Sequence, residues 1–290
     1  MKLTSKKAFS LIELSIVILI IGLLVAGVVK GGQLYKKTQL ATARNTTSNS
    51  PVNRTANLDL WLETTLESSF DANVGNGSSV TTWYNQNLRS FKKNNATKAT
   101  TENQPIYRTD VFGSIPALDF DRANVHLDFN GSFLIGTDYT IFIVGSRRSN
   151  GRYDKFIGGT GTSSHEVLHF GFQSNNSINF SQYAYNLIYT PSPLLALNTP
   201  YIFNIMLNSK ASPDSRFLWI NGQKVTPDVG SDLGPAQLIS YNGARIGRHS
   251  NIHQLDGNIA EIIMFSRALK ESERVAIEEY LSKKYNIALE

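Results

Sequence analysis

The stretch LDGNIAEIIMFSRALKESERVAIEEYLSKKYNI, residues 255–287, holds the two periodicities that decide the fold. Asp256-Gly257 supplies a turn, after which Ile259, Ile262 and Met264 enter an apolar interior from a run that reads as a strand. From Glu271 the period lengthens. Val275, Ile277, Tyr280, Leu281 and Tyr285 fall largely on one helical stripe, and Glu278 and Glu279 stand at spacings from Ser282, Lys283 and Lys284 that permit pairing one turn apart. The segment predicts a strand followed by a closing helix over 271–285.

Working outward, the same alternation recurs in TIFIVGS (140–146), EVLHFGF (166–172), YIFNIMLN (201–208) and RFLWING (216–222). Asn221-Gly222 and Asn242-Gly243 tolerate positive φ between such runs, and Pro191, Pro193, Pro200 and Pro213 interrupt them. The chain is therefore expected to be mainly β, an antiparallel β-sandwich closed by a C-terminal helix. With 41% hydrophobic and 18% charged residues it can build a core, and with no Cys it must do so by apolar burial alone. The net charge of +5 draws partly on Lys2, Lys6 and Lys7 outside any folded domain, so no nucleic-acid partner is expected.

The N-terminus obeys different rules. Residues 9–29, FSLIELSIVILIIGLLVAGVV, carry one charge, Glu13, and are long enough to cross the hydrocarbon core as a helix. Lysines flank both ends, so positive-inside counting does not decide orientation. Leu34, Tyr35 and Leu40 allow the helix to continue to Asn45, and the Asn, Thr and Ser of residues 46–57 read as a linker to a head over 58–290.

An ordinary signal peptide has no carboxylate in its apolar centre, so Glu13 calls for a specific partner. The sequence KKAFSLIELSIVILIIGLL resembles the class III leader of type IV prepilins and type II secretion pseudopilins. The resemblance implies a leader over residues 1–8, cleavage between Ala8 and Phe9 by a prepilin peptidase, and methylation of the new amine on Phe9. It also implies that Glu13 pairs with the amine of a neighbouring pilin or pseudopilin subunit during assembly. Ala8 stands where that family usually has Gly. The implied route is single-pass insertion in the bacterial inner membrane, then a surface or periplasmic filament with the head outside the cytoplasm.

Head segments LDLWLE (58–63), VTTWYNQ (80–86), NQPIYR (103–108), IPALDFD (115–121), FLWINGQ (217–223), ARIGR (244–248) and residues 255–287 resemble concanavalin A-like, laminin-G-like jelly-roll modules. The resemblance implies a lectin-like head that binds a glycan or another surface ligand. Related modules often have Asp where Glu63 stands and Gly where Arg122 stands, which puts a calcium or sugar site at those positions in doubt.

His165-Glu166-Val167-Leu168-His169 matches the H-E-x-x-H zinc-protease pattern, which works only on a helix. Here it reads as a strand, where residues four apart are separated by roughly 13 Å and cannot converge on one zinc. Asp119 and Asp121 share a strand face without the third carboxylate of a glucanase cluster, and Asp128 lies beyond a polar interruption. They read as solvated carboxylates, with bound calcium as the alternative, and no other cofactor is expected. SRRSNGRYDK (146–155) offers Arg147, Arg148, Arg152 and Lys155 beside Tyr153 to an acidic ligand, and SQYAYNLIY (181–189) offers Tyr183, Tyr185 and Tyr189 as a stacking platform. The expected function is a pilin-like subunit, minor in its filament, displaying an adhesive head and not an enzyme. The alternatives are a secretion pseudopilin and an anchored glycan-active enzyme.

Overall fold

The computed structural model describes residues 10–90, 94–98 and 103–290. Helix α1 (Leu11–Ser48) runs past the expected end at Asn45. The small polar side chains there sustain the helix instead of breaking it: the hydroxyls of Thr46, Thr47 and Ser48 donate to the carbonyls of Thr42, Ala43 and Arg44 one turn earlier, at 2.9, 2.9 and 3.0 Å. A short 3-10 turn, Val52–Arg54, with Val52 wholly buried, completes the connection.

Strands follow in chain order: β1 (Leu58–Glu63), β2 (Thr82–Trp83), β3 (Ala96–Thr97), β4 (Ile106–Phe112), β5 (Ile115–Asp121), β6 (Leu127–Asp128), β7 (Tyr139–Arg147), β8 (Asp154–Gly158) and β9 (His169–Phe172). The chain continues through β10 (Ile178–Ser181), β11 (Asn186–Tyr189), β12 (Tyr201–Leu207), β13 (Arg216–Ile220), β14 (Gln223–Lys224), β15 (Arg245–Ile246), β16 (Arg248–His249), β17 (His253–Gln254) and β18 (Asp256–Phe265), and ends in α2 (Glu271–Tyr285).

Among the described residues these form a sandwich of two eight-stranded sheets. The first runs β14-β13-β12-β7-β18-β5-β4, with β1 also paired to β18; the second runs β11-β10-β9-β8-β15-β6-β3-β2. The named pairs are antiparallel, as expected from the alternating pattern. Phe156, Phe170, Phe172 and Phe203 pack between the sheets with ring centroids 5.3 to 6.1 Å apart. Ile259, Ile262 and Met264 join that interior; a bulge between Ile259 and Glu261 shifts the alternation by one. Ala260, Ile263 and Phe265 face the opposite side, where α2 and the end of α1 cover the first sheet through Ile277, Tyr280, Leu281 and Ala43.

Two local expectations are corrected. Asp256-Gly257 is not a turn but the start of β18, and the glycine is needed because a Cβ there would meet the Ser146 carbonyl at 2.1 Å. In EVLHFGF only His169–Phe172 is strand; His165, just before this run, takes a left-handed φ of 64° within a turn, so the extended backbone begins only after it.

The stripe of α2 also carries more than apolar residues. Lys284 turns inward, and its Nζ lies 2.9 Å from Glu63 and 2.8 Å from Glu261, all three side chains being wholly buried. Tyr280 and Tyr285 donate their hydroxyls to Glu261 at 2.7 and 2.9 Å, and Trp61 Nε1 adds a third bond at 2.7 Å. Burial alone would raise the Glu63 carboxyl, but the Lys284 ammonium and the hydroxyls of Ser69 and Thr65 hold it below its ordinary value. Glu278 pairs with Arg274 at 2.5 Å and not with a lysine later in the helix.

Candidate functional site

The first locus is the start of α1. Ala8 and Phe9 lie outside the described residues. Leu11, Leu19, Leu24 and Val28, on different faces of the helix, are between 63% and 84% exposed, so the apolar half touches nothing in the head. Its mean hydropathy of 2.8 makes it the one helix among those described that is long and apolar enough to cross a membrane. Glu13 closes a capping box: its Oε2 accepts from the Ser10 backbone N–H at 2.9 Å, while Ser10 Oγ accepts from the Ile12 N–H at 3.3 Å.

The other half of α1 is fastened to the head. Lys36 pairs with Asp110 at 2.8 Å, Arg44 donates to the Thr65 carbonyl at 2.7 Å and pairs with Glu67 at 2.8 Å, and Ala43 and Thr47 are buried. A cleft of about 540 Å³ runs along this seam, lined by Tyr35, Gln39, Val111, Pro200 and Lys283 among others.

The second locus is on the head. Of the residues expected to bind a ligand, Tyr153, Lys155 and Tyr183 gather around one group of histidines, whereas the arginines and Tyr185 do not join them. Arg147 is buried with its guanidinium 3.8 Å over the Phe172 ring. Arg148 joins Asp119, Asp256 and the Phe120 carbonyl in an ion-paired network. Arg152 remains exposed, and Tyr185 lies against His165 and the buried Arg216. Asp119 is thus an ion-paired group, bound to Arg148 and Arg108, and not the solvated carboxylate expected.

Tyr153 and Tyr183 instead flank three histidines. Tyr153 stacks on His253 at 4.3 Å, His253 lies 5.9 Å from His249, and His249 stacks on His169 at 4.3 Å and 16°. His249 Nε2 lies 2.8 Å from the Tyr183 hydroxyl, and the Gly159 backbone N–H donates to its Nδ1 at 3.4 Å. A neutral imidazole has one donor and one acceptor, so the Gly159 contact leaves the proton on Nε2.

Lys155 is the fourth base of this group. It sits on β8 opposite Gly171 of β9, which in turn faces Asn179 of β10. Phe170 and Phe172 alternate into the interior, so His169 and Lys155 occupy the other face of the sheet. Lys155 is 1% exposed and its Nζ has no hydrogen-bond partner among the described residues; His169 Nδ1 and His253 Nδ1 share that condition. Burial lowers the Lys155 amine to about 7, with Asp154 opposing. Burial, then the Lys155 charge, lowers His249 to about 3, and the same causes lower His169 and His253.

The H-E-x-x-H motif is not assembled. His165 stacks near Tyr185 while His169 joins the ring stack, and no group of acidic or histidine side chains among the described residues is arranged to hold a metal. Arg122 adopts φ 67°, a left-handed backbone conformation that glycine takes up most readily.

No protein-family model matches the chain, and no curated protein matches it. Solved structures do. A Trypanosoma rangeli sialidase in complex with 2,3-difluoro-KDN superposes with a TM-score of 0.54 at 14% identity, over 87% of this chain and 39% of the sialidase. The binding domain of Paraclostridial Mosquitocidal Protein 1 superposes with a TM-score of 0.53 at 14% identity, over 78% of this chain and 52% of that one. The chain thus spans about half or less of the structures it matches. At this identity the likeness establishes the β-sandwich fold and nothing finer. It also corrects the expectation that the chain is not an enzyme: sialidases carry this sandwich, so the architecture is no ground for excluding catalysis.

Proposed function

We propose that the chain is a type IV pilin-like subunit whose α1 inserts in the inner membrane and then packs with other pilin or pseudopilin helices, displaying a carbohydrate-binding head. The observation that carries this reading is the division of α1: an apolar half exposed on every side, with one carboxylate at its start, continues without a break into a half clasped by the head. An uncovered apolar helix needs lipid or other helices around it. A clasped one passes its position on to the head. The leader over residues 1–8, processing at Ala8 and Phe9, and pairing of Glu13 with a neighbour's amine belong to the same proposal. Tyr153 and Tyr183, each just over a third exposed beside polar imidazoles, supply ring faces of the kind sugars stack on.

Shearing filaments from cells that express the full chain, then probing filament and membrane fractions for the head, tests this. Recovery in the sheared fraction supports the proposal. Retention of all the protein in the membrane fraction overturns the pilin reading.

A further inference from the structure

We propose that the β16–β17 hairpin is an acid-released latch, held over the outer face of the second sheet by the stack of Tyr153, His253, His249 and His169 above Lys155. This goes beyond the pilin reading and does not depend on it.

The hairpin belongs to neither large sheet: β16 and β17 pair only with each other. An isolated two-stranded hairpin is marginal in water, so its place depends on what its side chains grip. The grip is the ring stack, the Tyr183 hydroxyl on His249, the Gly159 N–H on His249 Nδ1, and the Ser250 N–H on the Gly159 carbonyl at 2.8 Å. At the far end Gln254 Nε2 donates to Asn124 Oδ1 at 2.8 Å.

Protonation undoes this grip in two ways. A proton on His249 Nδ1 turns the Gly159 contact into donor facing donor. It also places positive charge beside Lys155 and two further imidazoles in a buried site, where among the described residues no carboxylate bonds the three rings. Asp154 on β8 accepts from the Asp256 backbone N–H and pairs with Arg122 through Oδ1, while its Oδ2 has no partner among the described residues and its charge acts on Lys155, the adjacent residue of the same strand. Arg245 on β15 is paired with Asp128, Arg248 on β16 bonds the carbonyls of Ser250 and Asn251, and Arg147 on β7 lies over Phe172. From β9 and β10 the neighbours are His169, Asn179 and Ser181, none of them acidic.

Each of these bases ionises at a lower pH in the closed state than when free. Such a group supports the closed state fully above its free value, and that support is lost as pH falls toward the closed-state value. Lys155 loses its share from 10.5 down to about 7, and His249 from 6.5 down to about 3. Release is therefore expected on acidification below about pH 6.5.

Hydrogen exchange read by mass spectrometry on the full chain in detergent micelles, between pH 8 and pH 5 and corrected for intrinsic rates, tests the latch. Residues 248–254 should lose protection about tenfold or more while β7 and β18 keep theirs. Unchanged protection of 248–254 overturns the proposal, and so does simultaneous loss in β7 and β18, which is general acid unfolding. Lys155→Met, which keeps the bulk and removes the charge, should move the release to lower pH; release at the wild-type pH overturns the role of the amine. If Lys155→Met fails to fold, His253→Gln on the half-buried strand of the hairpin should reduce the response in the same way, and an unaltered response counts against the stack.

Discussion

Lys284 Nζ lies 2.8 Å from the Glu261 carboxylate, and this wholly buried pair binds the last helix to the strand that precedes it. Glu63 is the second acceptor, so Lys284→Met strands two carboxylates in the interior. Removing one member of a buried ionic group typically costs about 3–5 kcal/mol, and urea unfolding should show a loss of that size. The deficit should narrow as pH falls, first above 4.5, where burial without the ammonium lets the variant's Glu63 take up a proton, and then below it as the wild type loses its own stabilisation. Glu63, held below its ordinary value of 4.5 in the wild type, gives up its stabilisation as it is protonated, whereas in the variant protonation relieves the stranded charge. A deficit that is constant with pH would place the effect in packing.

Gly257→Ala tests the close approach of β18 to β7. The added methyl meets the Ser146 carbonyl, a backbone atom that cannot swing aside, so thermal unfolding should report a loss of about 1–3 kcal/mol. Gly75→Ala, where nothing lies within 4 Å, should stay within about 0.5 kcal/mol of wild type.

At the start of α1, Glu13 has two separable properties, its charge and its capping bond. Glu13→Gln retains an oxygen that can accept from the Ser10 N–H and removes only the charge; Glu13→Ala removes both, at a cost of about 1 kcal/mol to the helix start. Both variants should still insert in the membrane. Both should be depleted from sheared filaments if charge pairing drives assembly, whereas normal incorporation of Glu13→Gln with depletion of Glu13→Ala assigns the role to the cap.

Processing is checked by intact-mass analysis of the chain recovered from membranes. The expected mature terminus is a methylated Phe9, and a bulky residue at position 8, as in Ala8→Leu, should block its appearance. A terminus beyond residue 26 identifies ordinary signal-peptide cleavage instead.

Much of the architecture was legible because strands and helices impose distinct periods: the runs at 140–146 and 201–208 became β7 and β12, and 271–285 became α2. What misled were residues whose local chemistry has two outlets. Thr46, Thr47 and Ser48 read as linker, yet their side chains bond back to the helix that precedes them. Asp-Gly at 256–257 reads as a turn, but glycine also serves where two backbones touch. The capping box of Ser10 and Glu13 stands in the sequence as S-x-x-E before an apolar run, so the carboxylate has a near partner in the Ser10 N–H. Lys155, His169, His249 and His253 come from three separated segments, and only the pairing of β8 with β9 and the fold-over of the hairpin bring them together. Spacing along the chain carries no trace of that.

The pairing of β1 with β18 also bears on mechanics. α1 leads through one short turn into β1, whose register with β18 runs from Leu58 opposite Phe265 to Glu63 opposite Glu261. A load along β1 shears this ladder instead of peeling it bond by bond, and the clasps of Lys36 on Asp110 and Arg44 on the Thr65 carbonyl share any load that arrives through α1. Lys284, bonded to Glu63 on one strand and Glu261 on the other, rivets the far end of that ladder. Sliding β1 past β18 therefore requires this buried ion group to break together with the ladder.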